Sequence, residues 1–294
     1  MKVEKIRIIY RRSIPYLFIL PAFIILMGLV FYPVLYSLYL SFHSWGGGVT
    51  APSFVGITNF EDILGSAEWW NAVKLSGVWT GGTVVTEFLI GFGIALLFSM
   101  KMRARKIFRV LFVVPMVMTP IVSSLTWKTL IYHPNVGIAN YFLSLVSLRP
   151  QVWLGEIRTT MISLIIYDAW HWIPFVTLCL LAGLSSLPQE PYDAAKVDGA
   201  STVAMFRYIT LPLMKPVIWI ALLFRSIDAF RTFDVIYAMT GGGPGRTTQT
   251  LPLYIFQTGL EYLHFGEGAS LAIMTAGLAT ILVLPQVRIF ARRK

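Results

Sequence analysis

The sequence predicts an all-α integral membrane protein with about six transmembrane helices. Of its 294 residues, 56% are hydrophobic and only 13% are charged, and the mean hydropathy is +0.69. Soluble domains carry about 25% charged residues, so most of the exterior of this chain must face lipid. The formal net charge of +10 does not indicate a nucleic-acid partner, because the basic residues cluster between apolar runs and not along one polar face.

Six apolar runs are long enough to cross a bilayer, since a spanning helix needs about 20 mostly apolar residues. They are 15–42, 73–100, 108–132, 161–184, 211–239 and 269–290. The first run is much longer than the roughly 7–15-residue apolar core of a signal peptide, and we expect it to be retained as a span. The fifth run is the least regular, because its second half carries charged residues.

The lysines and arginines predict that both termini are cytoplasmic. They concentrate in four segments, 2–12, 101–109, 196–215 and 288–294, and they are sparse in the loops on the other side. Positive residues are enriched in cytoplasmic loops, and an even number of spans leaves both termini on one side. We expect one membrane domain over 1–294, with a first span and outer loop at 1–72, a five-helix core at 73–290 and a cytoplasmic loop at 185–216.

The loop at 185–216 is too rich in structural signals to be a simple linker. Glu190 and Asp193 place negative charge at the positive end of a short helix. Gly199 suits the left-handed conformation that commonly follows the last turn of a helix. The loop therefore begins with one short helix that ends at a glycine.

A second short helix is predicted after the glycine. Ser201 or Thr202 can cap its first turn, and it should end before Pro212. Exposed apolar residues in the loop indicate docking onto a partner protein, although an amphipathic hairpin lying on the lipid surface is the alternative. The apolar residues concerned are Tyr192, Val197, Val203 and Phe206.

Three features of this loop keep a characteristic spacing: the triplet Asp193-Ala194-Ala195, then Gly199, then Ile209-Thr210-Leu211-Pro212. The pattern resembles the EAA loop of the permease subunits of binding-protein-dependent ABC importers. In that family the helix of the loop inserts into a cleft on a cytoplasmic ATPase. The resemblance implies an ATPase-coupling role for Glu190, Asp193, Ala194, Ala195, Asp198, Gly199, Ala200, Phe206, Ile209 and Pro212.

Other segments resemble the carbohydrate-uptake branch of these permeases, the maltose-type and glycerol-phosphate-type group. They are Leu20-Pro21-Ala22 with Tyr32-Pro33-Val34 in the first span, Phe54-Val55-Gly56 in the first outer loop, and Thr240-Gly241-Gly242-Gly243-Pro244-Gly245 after the fifth span. Two departures concern the loop: Asp193 replaces a glutamate, and Val203 replaces an aromatic residue. The second departure leaves the details of the ATPase contact open.

The resemblance implies the type I ABC importer permease fold and a set of partners. These are a pair of cytoplasmic ATPase subunits that bind ATP and Mg²⁺, a second permease subunit, an extracytoplasmic solute-binding protein and a carbohydrate. The resemblance to this branch favours a second permease that is a different chain over one that is a copy of this chain. The membrane would be the cytoplasmic (inner) membrane of a bacterium or archaeon.

The chain itself is not expected to be an enzyme or to hold a cofactor. It lacks the glycine-rich phosphate loop with its lysine, so ATP hydrolysis belongs to a separate subunit. Its four histidines are scattered without the spacing of metal ligands. We therefore predict no catalytic residue and no metal site.

Polar residues at membrane depth are costly and are candidates for a substrate path. The acids of span four could accept hydrogen bonds from sugar hydroxyls, and the neighbouring aromatic rings could stack on a sugar. Two alternatives remain: the charged residues of span five, three residues apart, could pair only to fix helix packing, and the histidine and tryptophans could serve packing alone. The candidates are Glu87, Asp168, Trp170, His171, Trp172, Arg225, Asp228, Arg231 and Asp234.

The rival interpretation is a secondary transporter driven by an ion gradient. Such transporters are commonly built from two related halves with paired broken helices, and no second segment here matches the loop at 185–216. An import permease is therefore the favoured function. The sequence leaves open which carbohydrate, polyol or glycerol phosphate is moved, and whether this subunit binds it directly.

Overall fold

The structure is a computed structural model that describes residues 16–48, 51–100 and 105–291, with side chains described outside 105–109 and 289–291. The basic residues of 2–12, 101–104 and 292–294, on which the predicted orientation largely depends, lie outside the described residues, as does Pro15 of the first predicted span. Cytoplasmic placement of both termini therefore stays a prediction.

The described chain is dominated by helices. In order they are α1 Tyr16–Ser41, α2 Thr58–Gly65, α3 Ala67–Ser99, α4 Arg105–Val117, α5 Pro120–Ile131, α6 Ile138–Leu145, α7 Ile157–Ser185, α8 Glu190–Val197, α9 Thr202–Arg231, α10 Asp234–Thr240, α11 Leu251–Phe256 and α12 Phe265–Ala291. A short antiparallel pair, β1 His43–Ser44 and β2 Ser53–Phe54, follows α1. The π-helical turn Gln257–Glu261 continues α11.

Five helices, α1, α3, α7, α9 and α12, are each long and apolar enough to cross a membrane. The count becomes six when α4 and α5 are taken together as one broken span. The predicted all-α membrane fold with about six spans is confirmed. The predicted third and fifth spans, however, differ from single straight helices.

The predicted span at 108–132 is bent by 100° between α4 and α5. Thr119 is extended, with φ −62° and ψ 127°, because a residue before proline is disfavoured in the α-helical region. Pro120 then occupies the first turn of α5, where its missing N–H costs least. The prediction of one continuous helix was wrong here.

The predicted fifth span, 211–239, has both ends misplaced. Its helix already begins at Thr202 and ends at Arg231, and Asp234 starts a separate helix, α10. The second loop helix therefore does not end before Pro212 but runs through it. A π-helical turn at Phe206–Thr210 shifts the hydrogen-bond ladder just before Pro212, whose missing N–H would otherwise interrupt an α-helix.

The chain divides into two compact units. One contains the described residues up to Ser66 together with Ile255–Thr275, and the other contains Ala67–Tyr254 with the chain from Ala276 onward. The predicted single domain with an inner division at residue 72 stays a prediction. In the first unit, α1 is exposed over most of its length, and the Ser270 hydroxyl donates to the Ser41 carbonyl oxygen at 2.8 Å.

In the second unit, α3 and α7 pack along one another and enclose two apolar cores. Their close approach is visible at Gly91, whose carbonyl oxygen accepts from the Thr177 hydroxyl at 3.3 Å. One core contains Trp79, Tyr132, Leu164, Tyr167, Val235, Ile236, Met239 and Leu253. The other contains Ala95, Val176, Leu180, Leu181 and Met214.

Candidate functional site

Arg225 lies at the centre of an ion-pair cluster that joins three helices. Its Nε donates to Oε2 of Glu87 at 2.5 Å, and its Nη2 donates to Oε1 of the same carboxylate at 2.8 Å. Nη2 also donates to Oδ2 of Asp168 on α7, and Nη1 donates to Oδ2 of Asp228 at 2.9 Å, one turn further along α9. We refer to these four residues as the arginine cluster.

The arginine cluster is buried on one side and open on the other. The side chains of Arg225, Glu87 and Asp168 are each at most 1% exposed, whereas that of Asp228 is 52% exposed. Along α3 and α7, the buried acids lie between the two apolar cores. Charges in such surroundings persist only when they are paired and hydrogen-bonded, and the planar guanidinium provides two-pronged pairing with Glu87.

Aromatic rings of α7 lie next to the cluster. The Arg225 guanidinium carbon is 5.0 Å from the centroid of the Trp172 ring, within the range of a cation–π contact. His171 is buried against Trp172, and its Nδ1 has no hydrogen-bond partner among the described residues. Trp170 packs against Trp127. His171 and Trp170 thus lie in an aromatic layer beside the cluster.

A polar cavity of about 140 Å³ adjoins the arginine cluster. This volume is below the roughly 300–1,000 Å³ of complete small-molecule sites, so the cavity can form only part of one. Of the nine predicted path residues, five line it, and Glu87, Trp170, His171 and Arg225 do not. The lining residues are Pro120, Asp168, Trp172, Asp228, Arg231, Thr232, Asp234 and Val235.

Asp168 lines this cavity, and one of its two carboxylate oxygens has no hydrogen-bond partner among the described residues. Its Oδ2 is held by Arg225, whereas its Oδ1 is buried and has no hydrogen-bond partner among the described residues. That oxygen is shielded from solvent, and leaving a buried acceptor unpaired is unfavourable. The Trp172 ring lines the same cavity. A carboxylate acceptor beside an aromatic ring suits a ligand with both hydroxyl groups and C–H faces.

The four charged residues of the predicted fifth span do not lie on one helix, which corrects that prediction. Arg225 and Asp228 pair as their spacing predicts. Arg231 is the last residue of α9, and Asp234 is the first of α10. The Asp234 carboxylate accepts from the backbone N–H of Val235 at 2.9 Å. Asp234 therefore reaches the cavity from a different helix than Asp228.

The loop at 185–216 begins with α8 and turns at Gly199, as predicted. Gly199 has φ +75°, a conformation that costs a residue with a side chain. Its N–H donates to the Lys196 carbonyl at 3.1 Å, and that of Ala200 donates to the Ala195 carbonyl at 2.9 Å. These two bonds form a Schellman motif. Asp193 pairs with Lys196 on the surface of α8.

The second helix of the loop is α9 itself. Ser201, not Thr202, is its N-cap: the Ser201 hydroxyl accepts from the N–H of Ala204 at 3.2 Å. The hydroxyl groups of Tyr192 and Thr210 lie 2.9 Å apart and are hydrogen-bonded, which ties α8 to the first turns of α9. The loop is therefore a fixed structure that is attached to a membrane span.

Two of the four apolar residues predicted to be exposed in the loop are strongly exposed. Val197 is 88% exposed and Val203 is 75% exposed. Tyr192 and Phe206 are only half-exposed, because Tyr192 bonds to Thr210 and Phe206 packs against Phe92. Of the other predicted coupling residues, Ala195, Ala200 and Ile209 are half-buried, while Glu190, Asp193, Ala194, Asp198, Gly199 and Pro212 are exposed.

The bent helix pair contributes to the site, and sequence reasoning missed this. Pro120 lines the cavity, and its carbonyl oxygen accepts from the Tyr167 hydroxyl at 3.0 Å. The same hydroxyl is 2.6 Å from that of Ser123 on α5. The signal was present in the sequence, since a proline inside an apolar run marks a probable helix boundary.

Comparison of the sequence with known proteins identifies its relatives. The family model described as "Binding-protein-dependent transport system inner membrane component" matches residues 87–294. The trehalose/maltose transport system permease protein MalF of Thermococcus litoralis is 35% identical over 270 residues, which are 90% of either chain. The sulfoquinovosyl glycerol transport system permease protein SmoG of Agrobacterium fabrum is 32% identical over 283 residues, 95% of this chain and 90% of that one.

A solved structure shares the fold over nearly the whole chain. It is the crystal structure of a bacterial ABC transporter involved in the import of the acidic polysaccharide alginate, with a TM-score of 0.84 at 22% identity. The match covers 98% of this chain and 99% of that chain. It confirms the predicted permease fold.

Proposed function

Because the chain belongs to the family of binding-protein-dependent transport system inner membrane components, we propose that it is the membrane-spanning permease subunit of an ATP-driven carbohydrate importer. It forms half of the translocation path. The names of two relatives specify trehalose/maltose and sulfoquinovosyl glycerol as their cargo. The carboxylates and the Trp172 ring at the cavity fit the hydroxyl groups and C–H faces of a neutral sugar such as trehalose or maltose.

The proposed importer contains partners on both sides of the membrane. A pair of cytoplasmic ATPase subunits binds ATP and Mg²⁺, and an extracytoplasmic solute-binding protein delivers the carbohydrate. A second permease subunit, a different chain, supplies the remainder of the site, which agrees with the small volume of the cavity. The complex resides in the cytoplasmic (inner) membrane of a bacterium or archaeon.

The observation that carries this proposal is the continuity of α9. The helix begins at the Ser201 cap inside the loop at 185–216 and continues without a break to Arg225 in the arginine cluster and Arg231 at the cavity. Val197 and Val203, on either side of the Gly199 turn, are exposed among the described residues, and a hydrophobic cleft on a partner would bury them. ATPase movement at the loop would thereby reach the cargo site through one helix.

The ion pairs of the arginine cluster would change when α9 moves. Arg225 moves with α9, whereas its partners Glu87 and Asp168 belong to α3 and α7. A shift of α9 relative to those helices alters the pairing and the position of Asp228 and Arg231 at the cavity. The residues proposed to contact cargo are Asp168, Trp172, Asp228, Arg231 and Asp234.

The test is ATP hydrolysis by the complete complex in proteoliposomes, with and without binding protein and candidate sugars such as maltose and trehalose. The native chain is compared with Gly199→Pro, since proline cannot adopt φ +75° and has no N–H for the Lys196 carbonyl. We expect sugar-loaded binding protein to stimulate hydrolysis by the native complex. We expect the variant to insert in the membrane and to lose most of that stimulation.

Gly199→Asn is the matched control, because asparagine tolerates the left-handed conformation and retains the N–H. It should keep most of the stimulation. If no ATPase co-purifies, or if hydrolysis is indifferent to sugar and to Gly199→Pro alike, the proposal fails. A transporter driven by an ion gradient then becomes the better interpretation.

A further inference from the structure

The charged side chains around the cavity are unbalanced. The arginine cluster and the cavity lining together contain four carboxylates, those of Glu87, Asp168, Asp228 and Asp234, and two guanidinium groups, those of Arg225 and Arg231. In their ionised forms they sum to −2, and with a proton on one buried acid they still sum to −1. The cavity is therefore an acidic environment.

The positive charge of Arg225 is poorly placed to receive an anion. Arg225 is buried, and its Nε, Nη1 and Nη2 all donate to carboxylates of the chain. The ring of Trp172 lies over its guanidinium group. An anionic ligand would have to displace one of these carboxylates to reach it. Arg231 is the one cationic residue among the eight that line the cavity.

The negative charge, in contrast, is available to a ligand. Asp168, Asp228 and Asp234 all line the cavity. Half of the Asp228 side chain is exposed. Carboxylate oxygens accept hydrogen bonds from hydroxyl groups, but they repel a carboxylate, phosphate or sulfonate, and this repulsion is weakly screened where water is excluded.

We propose that this cavity makes the chain selective for neutral carbohydrates over acidic ones, with Asp228 and Asp234 as the specificity-determining residues. The inference rests on the proposed function and names the substrate class of the same site. The fold alone does not determine whether the cargo is neutral or acidic, because it is shared with an importer of the acidic polysaccharide alginate. The charges of side chains at the cavity decide it.

The test measures binding to the purified permease–ATPase complex in detergent, without the binding protein, so that the selectivity of that protein does not contribute. Saturation-transfer NMR gives dissociation constants for maltose and for a maltose derivative oxidised to a carboxylate on the same skeleton. In the native complex we expect the neutral sugar to bind at least about tenfold more tightly. Asp228→Asn and Asp234→Asn together should reduce this preference to about threefold or less.

Glu156→Gln is the matched control, because Glu156 is an exposed carboxylate that precedes α7 and does not line the cavity. It should leave the preference unchanged. Asparagine preserves the shape of aspartate and one acceptor oxygen, so the double variant should retain the thermal midpoint of the native complex.

The inference is overturned if the acidic sugar binds as tightly as the neutral one, if neither sugar binds, or if the double variant keeps the native preference. Sugar-stimulated ATP hydrolysis by the native complex is measured in parallel. If that stimulation is present while the charge preference is absent, the inference fails and the proposed function stands. If no sugar stimulates hydrolysis, the proposed function fails as well.

Discussion

The arginine cluster buries charged side chains, whereas the loop at 185–216 exposes apolar ones. The cluster places charges inside a membrane protein and satisfies them within the chain: Arg225 reaches carboxylates on three helices. The loop places apolar side chains at the surface and leaves them uncovered, with Val197 and Val203 almost fully exposed. The charged groups of the first region are paired within the chain, whereas under the proposed function a partner covers the apolar side chains of the second.

This difference predicts where substitutions will show their effects. Breaking a self-sufficient buried network leaves charges unpaired in the folded state, so the free energy of unfolding should fall. Altering an exposed docking surface changes nothing inside the chain, so the stability should persist while coupling to the partner is lost. Three substitutions test this division, from the largest expected effect to the smallest.

Arg225→Met should cause the largest loss of stability. The variant leaves Glu87 and Asp168 buried without their cation, and breaking a buried ion pair in this way costs about 3–5 kcal/mol. The thermal midpoint of the purified complex in detergent provides the measurement. Adding Glu87→Gln and Asp168→Asn to Arg225→Met should restore part of the midpoint, since the uncompensated charges are then removed. A midpoint within 1–2 °C of the native value for Arg225→Met alone contradicts a stabilising cluster.

Val197→Asp should abolish most of the sugar-stimulated ATP hydrolysis without a change in the thermal midpoint. A valine that becomes fully buried on docking contributes roughly 1.5–3 kcal/mol, and an aspartate would carry an unpaired charge into the same contact. Val136→Asp is the matched control, because Val136 is 78% exposed and lies in the segment between α5 and α6. Equal losses of stimulation in both variants would remove the distinction between the two surfaces.

Ser201→Ala should have the smallest effect, a local loosening of the first turn of α9. Loss of an N-cap hydroxyl costs about 0.5–2 kcal/mol, here the bond from the Ala204 N–H. Hydrogen exchange should accelerate several-fold at residues 204–206 and stay unchanged around Arg225. Ser201→Asp, which retains an acceptor, should preserve protection. Faster exchange along the whole of α9 would mean that the cap supports more than its own turn.

Much of the fold was predictable because lipid exposure leaves a strong composition signal. From the apolar runs, the first residues of five spans were predicted to within nine residues of the observed helix starts. The bend at Thr119 was not predicted, although Pro120 indicates a helix boundary at that position. The continuity of α9 through Pro212 could not be predicted from local sequence. A proline ordinarily ends a helix, but a π-helical turn just before Pro212 allows the helix to continue.

The candidate site was predictable in its residues but not in its pairing. Intramembrane charge singled out side chains that the structure brings together in the arginine cluster and at the cavity, and the three-residue spacing predicted the contact between Arg225 and Asp228. The stronger contacts, from Arg225 to Glu87 and Asp168, join helices that are far apart in sequence. Such proximity depends on tertiary packing and leaves no mark in one sequence. For the Gly199 turn and the Ser201 cap, by contrast, local signals sufficed, since both involve only near neighbours.

The uninterrupted course of α9 also has a mechanical meaning. A helix of 30 residues is about 45 Å long, so a tilt of about 10° at its loop end would displace its far end by about 8 Å. Under the proposed function, a small movement of α9 at the ATPase thus becomes a larger displacement beside the cargo. Amplification of this kind allows the chain to open and close a sugar-sized passage with only a modest movement at its base.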